Sequence, residues 1–506
     1  MVVLPQYTAT ANQENADMPS RIRAAGRVTE IGPNWSYRLA ILFLGFYYIR
    51  PQDWLPGLAG FNIVRPLMVA WVMVLMTEGS RSPLRGWFRT PHDWVMLALY
   101  AYIVWNAPKE AGATMGMFSL VVFYYLTTQA LSSWDRILGY LKAWNIMLIT
   151  LATFGVLQKM GFDITQAKEN TEKLFFGRLT LGTWMANNPN ALGHTVVAAI
   201  PLSYILYFWR GSAMGRMVIF PTCTILASWC AWYTASKGSF LVGALGLVLC
   251  FVIGRPKWIQ ILVVSAALTA GVGALSFMPR MDRMGDLRSD DGVAGRLLAW
   301  DRARLSMDRN TYGVGWRQFM AFIDWKEGNY MMTVAKSTHS SYVQVGADLG
   351  IYGLFLWLLG IWTAIRSLVF FKSANQTRER CRRAILLLVV SYAASSWMIN
   401  REYHTEYYLL IAVAAALHRL RLAQEIEDAE TASETQSSQS IFKDSSPPHQ
   451  SSSRSEEEDE VSEEEESLDS ENKRAIWKQL GLIDLAAGIA FVYIVVEIWD
   501  YVLGHL

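Results

Sequence analysis

The chain has 506 residues, of which 52% are hydrophobic and only 17% charged, with mean hydropathy +0.20. Water-soluble domains carry about 25% charged residues, so this composition argues against a soluble fold and for one embedded in a bilayer. The formal net charge of +2 is a cancellation: 424–471 holds 17 acidic and two basic side chains, a net −15, which leaves +17 for the remainder.

Four cysteines, Cys223, Cys230, Cys250 and Cys381, show no CxxC spacing, and no GxxxxGK[ST] or GxGxxG loop occurs. Neither a disulfide scaffold, a zinc site nor a nucleotide-phosphate loop is therefore indicated. No cofactor, metal or nucleic-acid partner is expected. Residues 1–35 are polar and contain Arg21, Arg23 and Arg27, but lack the short apolar stretch and small-residue cleavage site of a secretory signal. They read as a disordered cytoplasmic leader.

A spanning helix needs about 20 apolar residues. Twelve candidate cores follow one another at 37–49, 63–76, 94–105, 115–131, 137–157, 189–209, 217–233, 240–253, 258–277, 340–371, 384–399 and 407–417. Trp35, Tyr37, Trp54, Trp94, Trp105 and Trp258 flank the short ones as interface anchors. The expected fold is an all-α polytopic membrane domain over 36–423. With the N-terminus inside, the basic connections around Arg85, Arg136, Arg210, Arg255 and Arg380 fall on the cytoplasmic face.

Two connections on the opposite, external face are too long to be turns, 159–188 and 278–338, and long loops without structure of their own are usually functional. The second alternates Arg and Asp, and its middle, 295–307, suits a short amphipathic helix with Leu297, Leu298, Trp300 and Leu305 as the apolar contribution. The loop is expected to cap the outer mouth of the bundle. Residues 424–475, rich in Ser, Glu and Asp, read as a disordered cytoplasmic tail that could recruit a partner. The last stretch, 476–506, is apolar from Leu482 but contains Glu497 and Asp500. A thirteenth span and an interfacial helix fit it about equally.

Three external basic or titratable positions stand out. Lys237 lies in the tight loop Ala235-Ser236-Lys237-Gly238-Ser239, where small residues let an anion approach the next helix's amides; a lysine at a helix end also simply snorkels. Arg296 precedes Leu297-Leu298-Ala299-Trp300, and a guanidinium held there can grip phosphate oxygens in pairs, or else pair with a neighbouring aspartate. His339, followed by Ser340, opens a span, where the helix N-terminus disfavours imidazolium and leaves a neutral base. Capping of the loop is the alternative for it. His194, one turn into a span, and Arg401, in the turn Asn400-Arg401-Glu402-Tyr403-His404, are further candidates for lining the same mouth.

Taken together, the Lys237-Gly238 loop, Arg296 four residues before Trp300, Gly313-Val314-Gly315-Trp316, and His339-Ser340 leading to Gly346-Ala347-Asp348-Leu349-Gly350 resemble the O-antigen ligase and polymerase superfamily. The segment 182–192, with Asn188-Pro189-Asn190, is similar to that family's stretch before a span, and the resemblance covers about 177–361. Arg50-Pro51-Gln52-Asp53 looks like the exosortase-associated O-glycosylation ligase branch.

The resemblance implies a metal-independent, inverting glycosyltransferase of the bacterial inner membrane, active on the external face. Its donor would be a glycan on undecaprenyl pyrophosphate, and its acceptor a hydroxyl on lipid A core, protein or another glycan. Lys237 and Arg296 would bind the pyrophosphate and His339 would act on the acceptor hydroxyl, with Trp300, Ser340, His194 and Arg401 as site lining. Lys237 stands where the family usually has arginine. A repeat-unit polymerase is the alternative within the superfamily; a polytopic transporter or glycolipid flippase, and a membrane scaffold working through the acidic tail, are alternatives of other classes.

Overall fold

The structure is a computed structural model that describes residues 35–58, 60–78, 88–183, 186–252, 256–275, 291–327, 330–443 and 479–505. The leader 1–34, positions 276–290 of the long loop and 444–478 of the acidic segment lie outside these.

Each expected apolar core centres on a helix. In chain order these are α1 (Trp35–Tyr48), α2 (Pro51–Trp54), α3 (Val64–Glu78), α4 (Pro91–Asn106), α5 (Ala113–Ala130), α6 (Trp134–Lys159), α7 (Lys168–Lys173), α8 (Pro189–Phe208), α9 (Gly215–Thr234), α10 (Lys237–Val252) and α11 (Lys257–Leu275). They continue with α12 (Asp291–Arg309), α13 (Ser341–Phe370), α14 (Gln376–Ser395), α15 (Thr405–Lys443) and α16 (Leu482–His505).

By length and composition five of them, α6, α8, α9, α13 and α16, can cross a membrane. The expected number of twelve spans does not follow from the fold, because α1 has 14 residues, α3 has 15, and α4 and α10 have 16. At 1.5 Å per residue these reach about 21 to 24 Å, short of a ~30 Å hydrocarbon core.

Aromatic side chains fill the bundle core, and some of their polar tips are bonded within it. Tyr407 stacks on Trp357 with centroids 5.4 Å apart, and its hydroxyl donates to the Trp357 carbonyl at 2.8 Å. Trp144 Nε1 donates to the Tyr48 hydroxyl at 2.8 Å. Buried charges are paired, as low dielectric requires: Asp93 accepts from Arg419 at 3.2 Å and from the Tyr124 hydroxyl at 2.7 Å.

The long loop departs from the all-α expectation. After α12 it forms an antiparallel hairpin, β1 (Ala321–Glu327) with β2 (Tyr330–Lys336), in the register Ala321 opposite Lys336 and Ile323 opposite Val334. Phe322, Ile323, Trp325, Tyr330, Met332 and Val334 are aromatic, β-branched or flexible apolar residues that suit a strand. The packed face of α12 also differs from the expected one. Gly295, Ala299, Ala303 and Met307 are buried, whereas Leu298 and Leu305 are exposed. Small residues spaced by four let the helix approach its neighbours closely, which leucines would prevent.

Helix α13 is broken at Gly350, whose φ is 67°. The break frees the carbonyls of Ala347 and Asp348, and the turn after α12 caps them: Val314 N donates to Ala347 O at 3.1 Å and Gly315 N to Asp348 O at 2.8 Å. Ile351 N reciprocates to Thr311 O at 3.1 Å. A side chain on Gly313 or Gly350 would collide with this facing backbone. The Gly-x-Gly-Trp and Gly-x-Asp-Leu-Gly motifs are thus two halves of one joint.

Two boundaries shift. Helix α15 runs on to Lys443, past the expected start of the tail at 424, beginning with an Arg421–Glu425 pair at 3.0 Å on a Glu- and Ala-rich sequence of good helix propensity. The terminal apolar stretch is a 24-residue helix packed antiparallel along α13. Its Asp484 pairs with Arg366 near the α13 C-terminus, and its Asp500 with Arg304 of α12 at 2.7 Å. Of the two acids that made this stretch ambiguous, Asp500 is therefore matched by a cation, as is Asp484 at the other end.

Candidate active site at the cap end of the bundle

The site lies where α12, with the hairpin against it, packs on α13, with the first turns of α8 in electrostatic reach of α12 and α10 packed on α8. It begins with the chain entering α13. Ser340 is the helix cap, its hydroxyl accepting from Val343 N at 3.5 Å. Ser341 N donates to Ser396 O at 2.7 Å, and the Ser341 hydroxyl accepts from Arg401 N at 2.7 Å. Thr338 donates to Gln344 Oε1 at 2.9 Å, and Asn400 Nδ2 donates to the Ser337 hydroxyl at 3.0 Å. This stitching holds His339, at φ 50°, in the left-handed region.

Helix α12 closes over this segment. Trp300 Nε1 donates to the Thr338 carbonyl at 2.7 Å, and its ring lies 6.0 Å from that of Trp397. Arg296, one turn earlier, and Lys336, at the end of β2, place positive charge on His339. Burial first, then these two cations, lower the His339 pKa to about 4, so its imidazole is neutral near pH 7.

Arg296 is within electrostatic reach of His194 as well, which brings α8 into the same group. His194 is buried against the first turn of α10: a Cβ on Gly238 would sit 3.0 Å from His194 Nε2 and 3.0 Å from Met398 Cβ. Only glycine at 238 admits that approach, and Lys237 stands on the adjacent position of the same turn. Ser236 begins α10 by accepting from Ser239 N at 3.4 Å, after Ala235 reverses the chain at φ 47°. His339, Arg296, Trp300, Ser340, His194 and Lys237 therefore converge on one end of the bundle.

Arg401 has a different place in that group. It is buried, bonded to Glu406 at 2.8 Å, to Ala191 O at 2.7 Å and to the Thr195 hydroxyl. It ties the turn 396–404 to α8. Arg50 likewise forms a local pair with Asp53, Nη2 to Oδ1 at 3.0 Å, around the short helix α2.

Some residues of this region carry no sequence signal of their own. Lys336 ends β2, Trp397 follows α14, and Arg178 lies in the first long loop. Arg178 Nη2 donates to Asn190 Oδ1 at 2.8 Å and its Nε to Thr234 O at 3.0 Å, so it joins that loop to α8 and α9. Glu402 is buried, with Oε2 unbonded among the described residues. Burial, foremost, and then the nearby Asp348 push its pKa up to about 8.

This is a helical membrane protein with a cap that brings the cations Arg296 and Lys336 within electrostatic reach of a buried histidine. Residues 222–358, which run from α9 through the cap into α13, match the family model described as O-Antigen ligase, and this match supports the resemblance to the O-antigen ligase and polymerase superfamily. No curated protein matches the chain. Transfer of glycans in polysaccharide assembly is the general activity of that superfamily.

Proposed function

We propose that the cap end is the external face of the bacterial inner membrane and that the protein is a ligase. It would transfer a glycan from undecaprenyl pyrophosphate to a hydroxyl of lipid A core, a protein or another glycan. One arrangement carries this reading: Arg296 and Lys336 lie within electrostatic reach of the buried His339, on a family segment that includes all three.

The chemistry follows from those charges. The acceptor oxygen attacks the anomeric carbon, the bond from that carbon to the pyrophosphate oxygen breaks, and the hydroxyl proton passes to the His339 imidazole. Arg296, Lys336 and Lys237 offset the charge growing on the departing pyrophosphate, the kind of stabilisation that is commonly the largest catalytic term. The donor also raises the basicity of His339. Its negative charge opposes the field of Arg296 and Lys336, so the histidine becomes a better proton acceptor when the donor is in place. A single displacement inverts the anomeric configuration.

The purified protein, a lipid-linked glycan and separate acceptors test this reading through product structure. A single glycan block on a non-glycan acceptor supports the ligase, whereas a ladder of lengthening chains still on lipid assigns the protein to polymerisation. Movement of intact lipid-linked glycan without a new glycosidic bond would discard both in favour of transport.

A further inference from the structure

The terminal helix α16 contributes no group to the chemistry just described, yet it touches both helices that carry it. Trp499 is fully buried among Ala303 and Met307 of α12 and Val343 and Ala347 of α13. Its slot depends on small residues: a Cβ on Gly346 would lie 3.2 Å from Trp499 Cζ3 and 3.1 Å from Met307 Sδ. The next residue, Asp500, accepts from Arg304 Nε at 2.7 Å and Nη2 at 3.2 Å, a paired geometry that fixes angle as well as distance. At the far end, buried Asp484 accepts from Trp362 Nε1 at 2.9 Å and from Arg366. The two aspartates stand 16 positions apart, about 24 Å along the helix, so α16 is anchored at both ends like a strut.

Arg304 stands two turns after Arg296 on α12, and Val343 stands four residues after His339. We propose that α16 is a positioning element of the donor site, with Trp499 and Asp500 setting the angle at which α12 presents Arg296 beside His339. This rests on the donor-site reading of Arg296 given above. The bond from Trp300 to Thr338 holds the middle of α12, and the Asp500 pair holds it one turn later, at Arg304. Loss of the second lets α12 pivot about the first.

The test uses the full-length protein in lipid nanodiscs, inorganic pyrophosphate as the probe, and calorimetry. Asp500→Asn is expected to weaken pyrophosphate binding about two- to fivefold, the scale of a partly exposed ion pair. Asp500→Glu, which keeps the charge that faces Arg304, is expected to retain it. Spin labels on Leu298→Cys and Ile351→Cys report the α12–α13 distance, which should broaden in Asp500→Asn and stay narrow in Asp500→Glu; the four native cysteines are buried. If Asp500→Asn does not fold, Trp499→Phe is measured with the same expectations. Wild-type binding in Asp500→Asn, together with loss in Arg296→Ala, would overturn the strut and leave the donor site standing. Equal binding by wild type and Arg296→Ala would overturn the donor site, and the strut's role with it.

Discussion

The Trp300 indole N–H donates to the carbonyl of Thr338 at 2.7 Å, so the helix that carries Arg296 is bonded to the residue immediately before His339. The two candidate reacting groups come from segments more than forty positions apart, and this bond sets them in one frame. A net hydrogen bond contributes about 0.5 to 1.5 kcal/mol. Trp300→Phe keeps the ring beside Trp397 and removes only the donor. Steady-state kinetics should show kcat/KM down by up to about tenfold with the melting temperature nearly unchanged. A large fall in melting temperature with unchanged catalysis would make the bond purely structural.

The pH dependence of kcat/KM reports groups in the free enzyme. His339 has its pKa lowered to about 4 by burial, Arg296 and Lys336, so it stays a proton acceptor down to that pH. The acid limb should therefore lie near 4 rather than near 6.5. Arg296→Gln removes a cation that disfavours imidazolium, so its limb should move upward. A wild-type limb at 6.5 would show that His339 does not carry the acid transition.

Much of this was legible in the sequence, and the physical reasons differ by residue. The helices follow from apolar runs, and Lys237, Arg296 and His339 follow from cations and a histidine beside turns and helix starts. The face of α12 was not legible: Ala299 and Ala303 pack where Leu298 and Leu305 were expected, because close approach favours small residues over apolar mass. Lys336 and Arg178 were hidden for another reason. Each reaches the site through tertiary contacts from a strand end or a loop, and no local spacing announces that. The Gly313 turn caps the break of α13 at Gly350, a partnership between segments that no local pattern marks.

Glu402 has its pKa pushed up to about 8 by burial and by Asp348, so the folded protein keeps this carboxyl protonated at neutral pH. The unfolded chain loses that proton near 4.3. Between these values the folded state binds more protons, and stability falls as pH rises. Glu402→Gln mimics the neutral acid. Its melting temperature should match wild type near pH 4 and exceed it increasingly toward pH 8; parallel curves would remove Glu402 from the titration.

Gly350 and Gly313 occupy positive φ and face backbone across the joint of α13 with the cap. Alanine at either must strain its own backbone and push the other segment away, a cost of at least about 2 kcal/mol. Thermal melts of Gly350→Ala and Gly313→Ala should show clear destabilisation. Melts like wild type would mean that the joint is not closed in the native protein.

The most direct measurement is glycan transfer by purified wild type, His339→Ala and Arg296→Ala, using a lipid-linked glycan and a hydroxyl acceptor, with folding of each variant checked in parallel. General-base and charge-stabilising groups each contribute roughly 10²- to 10³-fold. Both variants are expected to fold and to lose transfer on that scale, whereas product formation undiminished in both would contradict the assignment of this site.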